Sequence, residues 1–306
     1  MTRTEDISPR YRDIDAWPSL DALSAMFEAQ MAAVAAVRPA LPQLAAAVDG
    51  AVRRMAGETG RLIYIGAGTS GRLGVLDSSE LFPTFSWPRE RALFAMAGGS
   101  EAILNAVENA EDDEAAARRW MADNHVNADD VAIGVAASGG TPFTVAGVAE
   151  ARARGAMTIG VANNSGAPLL DAAEFPVLIE TGPEVIAGST RMKAGTAQKI
   201  ALNLFSTQLM VRLGRVHGGL MVQMRVSNAK LRRRGIDMVA RIAGCPRDDA
   251  ARALEAADGD VKLACVIAKG LDAMEAAAVL DRNGGHLRAA LIEAESGALP
   301  DLDDGS

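Results

Sequence analysis

Three short segments of this sequence combine glycines with hydroxyl side chains in a pattern that suits the binding of small anions. The first is Gly66-Ala-Gly-Thr-Ser-Gly71, between an apolar run and the start of a helical pattern. N–H groups at a helix start lack carbonyl partners, and the helix dipole favours negative charge there. The segment also fits the GxGxxG dinucleotide pattern. The acidic residue that this pattern needs after the second strand is missing, however, because Met96 is followed by Ala-Gly-Gly-Ser. Hydroxyls at Thr69 and Ser70 suit direct binding of a compact phosphate instead. No GxxxxGK[ST] segment occurs, which excludes a P-loop.

The second segment, Ser138-Gly-Gly-Thr-Pro142, offers two hydroxyls, at Ser138 and Thr141, and the flexible backbone of Gly139. Thr141 before Pro142 also reads as a plain N-cap with proline at the first helical position. The third runs from Gly182 to Lys199 and contains Glu184, Ser189, Thr190 and Lys193. Basic residues near a helix start oppose the dipole, so either a bound anion or a solvated charged helix end accounts for them.

These loops need elements to hold them. Short apolar runs at Arg61–Gly66, Arg91–Met96, Val131–Ala136, Met157–Val161 and Phe175–Ile179 read as strands. Helical patterns lie between them: from about Ser70, from Ser100 through Val107, from Glu111 to Asn124, and after Thr141. A long helix is expected from Ser189 to Leu213. Alternating strands and helices imply an α/β fold, a doubly wound parallel sheet of about five strands. Ligands bind at the carboxyl ends of such strands, where the first two loops lie. Residues 1–50 read as an N-terminal arm and helices, with the polar first 18 residues ordered against a partner. Residues 51–217 read as the ligand-binding domain. Residues 218–306 read as a small helical domain, capped at Asn283-Gly284-Gly285, with a polar tail.

Composition narrows the function. The chain has 306 residues, 49% of them apolar but only 4% aromatic, so its core must be built from Ala, Leu, Val, Ile and Met. A net charge of −8 disfavours nucleic acid and anionic membranes as partners. Two cysteines, Cys245 and Cys265, do not make a disulfide framework. The three histidines, His125, His217 and His286, lie far apart without ligand spacing, so no metal site is expected. The charged N-terminus is no secretory signal, and no uncharged apolar run reaches the ~18 residues of a membrane span. A cytoplasmic protein is expected.

Together the three loops resemble the sugar isomerase (SIS) domain, a phosphosugar-binding fold shared with glucosamine-6-phosphate synthase and the glucokinase regulatory protein. Four stretches resemble more narrowly the N-acetylmuramic acid 6-phosphate etherase family. They are Gly66-AGTSGRLGVLDSS-Glu80, Ala97-GGSEAILNAVENAE-Asp112, Ala137-SGGT-Pro142 and Gly188-STRMKAGTAQ-Lys199. The similarity continues at Leu220-MVQMRVSNAK-Leu231 and Asn283-GGHL-Arg288. Many family members carry a basic residue between the positions of Gly139 and Thr141; here it is Gly140.

The resemblance implies a reaction without cofactor. The substrate carries a D-lactyl ether at C3 of an amino sugar. In the ring-opened form the C2 proton is α to an aldehyde and the ether oxygen is a β leaving group. A base at C2 and an acid at the departing oxygen give elimination, and water then adds at C3. The family's two catalytic glutamates match Glu80, as the acid, and Glu111, as the base. Glu108 and Asp112 stand close enough to Glu111 to compete for its role. By the same resemblance Ser70, Ser138 and Thr141 bind phosphate with backbone help from Gly139. Thr69, Glu184, Ser189, Thr190 and Lys193 are further substrate-binding candidates, and the protein is expected to be a homodimer. Two other readings share the fold: an aldose–ketose isomerase, which also needs a base beside C2, and a phosphosugar sensor, which needs no acid–base pair. No basic helix-turn-helix is evident, which disfavours a transcriptional regulator.

Overall fold

A computed structural model describes residues 3–57, 59–224, 226 and 228–297. The chain divides into two compact units. One comprises residues 1–83 and 87–209, the other residues 84–86 and 210–306.

The first unit is built on five parallel strands: β1 (Leu62–Gly66), β2 (Ala92–Met96), β3 (Val131–Ala136), β4 (Met157–Ala162) and β5 (Phe175–Leu178). Their order in the sheet is β2-β1-β3-β4-β5. β1, β3 and β4 are buried along their whole length. That requires cover on both faces, which explains their unbroken apolar sequences. Two helices, α1 (Ser19–Ala36) and α2 (Leu41–Met55), precede the sheet. α3 (Gly68–Phe85), α4 (Glu114–Asp123), α5 (Pro142–Ala153), α6 (Pro168–Ala172) and α7 (Lys193–Arg212) connect or follow the strands.

One face of β3 and β4 is lined by Ala132, Gly134, Ala136, Thr158, Gly160 and Ala162. The small side chains let α5 and α6 approach closely. A Cβ at Gly134 would lie 2.4 Å from Val148 Cγ2, and one at Gly160 would lie 2.6 Å from the Leu169 carbonyl oxygen. The other face carries Tyr64, Ile133 and Met157 and receives α2, α3 and α7. Gly50 of α2 sits directly on Met157 and Phe175. Asp77 of α3 ties the layer together: it accepts from Tyr64 Oη at 2.6 Å, from Asn203 of α7 at 2.5 Å and from Ser206 at 3.2 Å.

Residues 19–55 are, by length and composition alone, apolar enough to cross a membrane. They are nevertheless two helices broken at Arg38–Ala40, and α2 buries Leu44, Ala47, Val48, Ala51 and Met55 on the sheet. The polar N-terminal segment is ordered against its own chain. It forms short 3-10 turns at Arg3–Glu5, Pro9–Tyr11 and Ile14–Ala16, and Thr4 is fully buried.

Two expected helices differ. Residues 100–107 form only a 3-10 turn at Gly99–Ile103 followed by irregular chain. Arg72 explains this, because it donates to the carbonyls of Ala102, Ile103 and Asn105. The helix expected from Glu111 begins instead at Glu114, capped by Asp113, which accepts from the Ala116 N–H. Glu111 lies in the preceding turn, Ala110–Asp112.

The second unit contains the two-residue strands β6 (Val216–His217) and β7 (Leu220–Met221). Five helices follow: α8 (Ala229–Ala243), α9 (Arg247–Ala256), α10 (Val261–Ile267), α11 (Ala273–Arg282) and α12 (Leu287–Gly297). Its own core gathers Val239, Leu254, Val261, Cys265, Ala276 and Ala290. The expected stop after α11 is present at Asn283, followed by two left-handed glycines. Residues 298–306, the expected polar tail, lie outside the described residues.

Candidate active site

Strand order reverses direction between β1 and β3. The loops after these two strands therefore diverge and leave a crevice at the carboxyl edge of the sheet. A cavity of about 480 Å³ occupies it. Ala67, Gly68, Thr69 and Ser70 line one side, and Ala136, Ala137, Ser138, Gly140, Thr141 and Pro142 line another. Glu5, Glu111, Asp112 and Thr190 complete the wall.

The hydroxyls in this cavity are not equivalent. Ser138 Oγ accepts the Gly140 N–H at 3.1 Å, which leaves its own proton free for an anion. Thr141 is the N-cap residue of α5, yet its side chain makes no capping bond, so that hydroxyl is also uncommitted. Ser70 differs. It is buried and donates to Gln198 Oε1 at 2.9 Å. Gln198 donates to Asn163 Oδ1 at 2.9 Å, and Asn163 donates to the Ile179 carbonyl at 2.9 Å. The terminal carbonyl can only accept, so the chain of bonds has one direction, and the Ser70 proton points away from the cavity. In this arrangement Ser70 offers the cavity lone pairs and a helix-start N–H.

Gly139 does not line the cavity. Its N–H donates to the Ala136 carbonyl at 3.1 Å, so it is not available to a phosphate. It is nevertheless required. Its φ is +69°, and a Cβ there would lie 2.4 Å from Ala167 Cβ. Gly140 has open space around it, with Ser138 Oγ the nearest atom at 3.9 Å.

The third segment divides. Thr190 lines the cavity; Ser189, Glu184 and Lys193 do not. Glu184 is fully buried and accepts from the Lys193 and Ala194 N–H groups, each at 2.9 Å. The anion expected at the start of this helix is thus supplied by the protein itself, and α7 begins at Lys193 rather than at Ser189. Lys193 Nζ donates to the Pro183 carbonyl at 2.9 Å. Desolvation holds its ammonium below the usual lysine value, partly offset by Glu184.

Of the acidic candidates, Glu111 and Asp112 reach the cavity and Glu108 does not. Glu80 also lies outside it. α3 runs unbroken from Gly68 to Phe85, so Glu80 stands about 15 Å along the helix from Ser70 at 1.5 Å per residue. Its side chain is exposed. His217 lies in the second unit, where burial first and then the charge of Arg288 hold its pKa below the usual imidazole value. No group of three or more potential metal ligands exists among the described residues. Sequence reading missed Glu5 and the Gln198–Asn163 relay. The polar N-terminal segment carries no motif, and the relay joins residues far apart in the chain.

Residues 43–152 match the family model of the glucokinase regulatory protein N-terminal SIS domain, and residues 104–208 match the SIS domain model. N-acetylmuramic acid 6-phosphate etherase from Deinococcus radiodurans is 53% identical over 96% of this chain and 96% of its own length. The protein of that name from Streptomyces avermitilis is 46% identical over 95% and 94% of the two chains. The one from Vibrio vulnificus is 43% identical over 94% and 96%. Among solved structures, a phosphoheptose isomerase from Francisella tularensis aligns with a TM-score of 0.47 at 21% identity over 64% of this chain and 98% of its own. Identity of this extent over nearly the whole length places the chain in the N-acetylmuramic acid 6-phosphate etherase family.

Proposed function

We propose that this protein cleaves the D-lactyl ether of N-acetylmuramic acid 6-phosphate by elimination and hydration, giving N-acetylglucosamine 6-phosphate and D-lactate in cell-wall sugar recycling. The observation that carries this reading is one cavity that joins two hydroxyl-bearing helix starts to the carboxylate of Glu111, in a chain of this family. The phosphate sits against Ser138, Thr141 and the helix-start N–H groups of Thr69 and Ser70. Glu111 removes the C2 proton of the open-chain sugar. The electron pair moves through C2–C3 and expels the C3 oxygen as lactate. Water then adds at C3, and C2 is reprotonated. The reaction has no net redox change and calls for no cofactor. Carboxylates matched to such proton transfers typically contribute about 10²–10⁴-fold each.

Glu80, the proposed acid, serves the cavity of a second copy in a homodimer. The unbroken α3 and the exposed position of Glu80 support this reading. So does α1, where Leu20, Leu23, Phe27, Met31 and Val34 form one stripe, each more than half exposed. The phosphosugar-binding domain is the first unit, and the second unit, with its own helical core, is a separate domain, in a cytoplasmic protein.

Lactate release from N-acetylmuramic acid 6-phosphate tests the function. Isomerisation of fructose 6-phosphate without lactate release would favour the isomerase reading. Mixing two inactive proteins, Glu80→Gln and Ser138→Asp, tests the dimer. Mixed dimers regain one working site if Glu80 acts in trans. No recovery despite confirmed subunit exchange contradicts it.

A further inference from the structure

The N-terminal segment places a carboxylate in the cavity that no motif marks. Thr4 is fully buried. Its N–H donates to Asn164 Oδ1 at 3.3 Å, and Asn164 Nδ2 donates back to Thr4 Oγ1 at 3.0 Å and to the Ala137 carbonyl at 2.9 Å. The N-terminal segment is therefore locked to the backbone immediately before Ser138. This anchor sets the next residue, Glu5, into the cavity wall. On the far side of Glu5 lies Gly188, where a Cβ would come within 2.9 Å of Glu5 Oε2. Any larger residue at Gly188 would displace the carboxylate, and the φ of +73° there independently favours glycine.

Among the described residues no cation pairs with Glu5. An uncompensated carboxylate beside a phosphate cradle repels phosphate, so its presence wants a ligand group that donates hydrogen bonds to it. A sugar carries hydroxyls, which are such donors. The Ser138 and Thr141 hydroxyls and the helix starts favour the anionic end of a ligand. Glu5 favours its hydroxylated body.

We propose that Glu5 is a substrate-binding residue that accepts a hydrogen bond from a sugar hydroxyl and discriminates the phosphosugar from free phosphate. The assignment rests on the phosphosugar reading of the cavity. It concerns binding and selectivity, separate from the acid and base roles.

The test is calorimetric titration of the full chain with two probes, N-acetylglucosamine 6-phosphate and inorganic phosphate. A sugar hydroxyl bonds a charged acceptor more strongly than the neutral amide oxygen of glutamine, by about 1–1.5 kcal/mol, so Glu5→Gln should weaken phosphosugar binding by about 5- to 13-fold. The same variant should bind inorganic phosphate at least as tightly as wild type, since a repelling charge is gone. Glu5→Asp keeps the charge but withdraws it by one methylene. It should weaken the phosphosugar and leave phosphate unchanged. A merely structural N-terminal segment would instead weaken both ligands together, because Asn164 also holds the Ala137 carbonyl. Parallel loss of both ligands, or unchanged phosphosugar affinity in both variants, overturns the proposal. Wild-type protein that binds phosphate but not the phosphosugar overturns the phosphosugar reading itself, and this assignment with it.

Discussion

The two ends of the parallel sheet are built to opposite rules. At the amino end Arg61 and Asp130 close the gap between β1 and β3. Arg61 donates from Nε at 2.9 Å and from Nη2 at 2.6 Å to the Asp130 carboxylate, which is only 1% exposed. Asp130 also accepts the N–H groups of Arg61 and Asn127, and Arg61 reaches the carbonyls of Asn124 and His125. The carboxylate accepts four hydrogen bonds, and four of the five guanidinium N–H groups have protein partners. At the carboxyl end the same two strands open into loops where the Ser138 and Thr141 hydroxyl protons remain uncommitted, facing the carboxylates of Glu5, Glu111 and Asp112, which no cation neutralises among the described residues. A chain that satisfies its polar groups at one end and leaves two hydroxyls and three carboxylates available at the other has reserved the second for a ligand.

Substitutions should separate the two ends. The largest effect is expected at the open end. Glu111→Gln should lower the rate of lactate release by about 10²–10⁴-fold with no change in melting temperature, since its exposed side chain holds nothing in place. A loss under about tenfold, below the range of a positioned base, would shift the role to Asp112, which shares the cavity.

The closed end should respond in the other currency. Asp130→Ala strands a partly buried guanidinium, which typically costs about 3–5 kcal/mol of folding stability in urea titrations. The kcat of the protein that remains folded should match wild type. A large kcat loss with unchanged stability would mean that the two ends are not independent.

A smaller, more selective effect is expected at Ser138. Its Oγ is turned by Gly140 to donate outward, so Ser138→Ala should raise KM for the phosphosugar. Loss of one charge-assisted bond costs about 1.5–3 kcal/mol, equivalent to about 10- to 150-fold. Unphosphorylated N-acetylmuramic acid should be a poor substrate for wild type and for Ser138→Ala alike. Equal kcat/KM for the phosphorylated and unphosphorylated sugars would remove the phosphate from this loop.

The strands and the two glycine loops were legible because their causes are local. Runs such as Val131–Ala136 have no polar residue to expose, and glycine with hydroxyls before an apolar helix marks a helix start. Where the sequence misled, the cause lies far along the chain. The start of α7 is set by Glu184, nine residues before Lys193, so the helix expected from Ser189 begins four residues later. Residues 100–107 carry a helical apolar spacing, but Arg72 takes three of their carbonyls, and Leu104 ends up 89% exposed. Glu5 was invisible because its placement depends on Thr4 meeting Asn164, 160 residues away. The direction of the Ser70 hydroxyl depends on the Ile179 carbonyl, two side chains distant. Glu80 and Glu111 were reached through family resemblance, since nothing in their spacing distinguishes them from the chain's other acidic residues.

The central claim is that the open end of the sheet breaks the C3–O bond of N-acetylmuramic acid 6-phosphate by elimination and rehydration. Turnover in deuterated, ¹⁸O-labelled water tests it most directly, with both products read by mass spectrometry and NMR. The account requires deuterium at C2 and ¹⁸O at C3 of N-acetylglucosamine 6-phosphate, with the lactate oxygens unlabelled. Lactate carrying ¹⁸O at its hydroxyl, with no label at C3, would contradict it, because water would then have attacked the lactyl carbon and the sugar would have kept its oxygen.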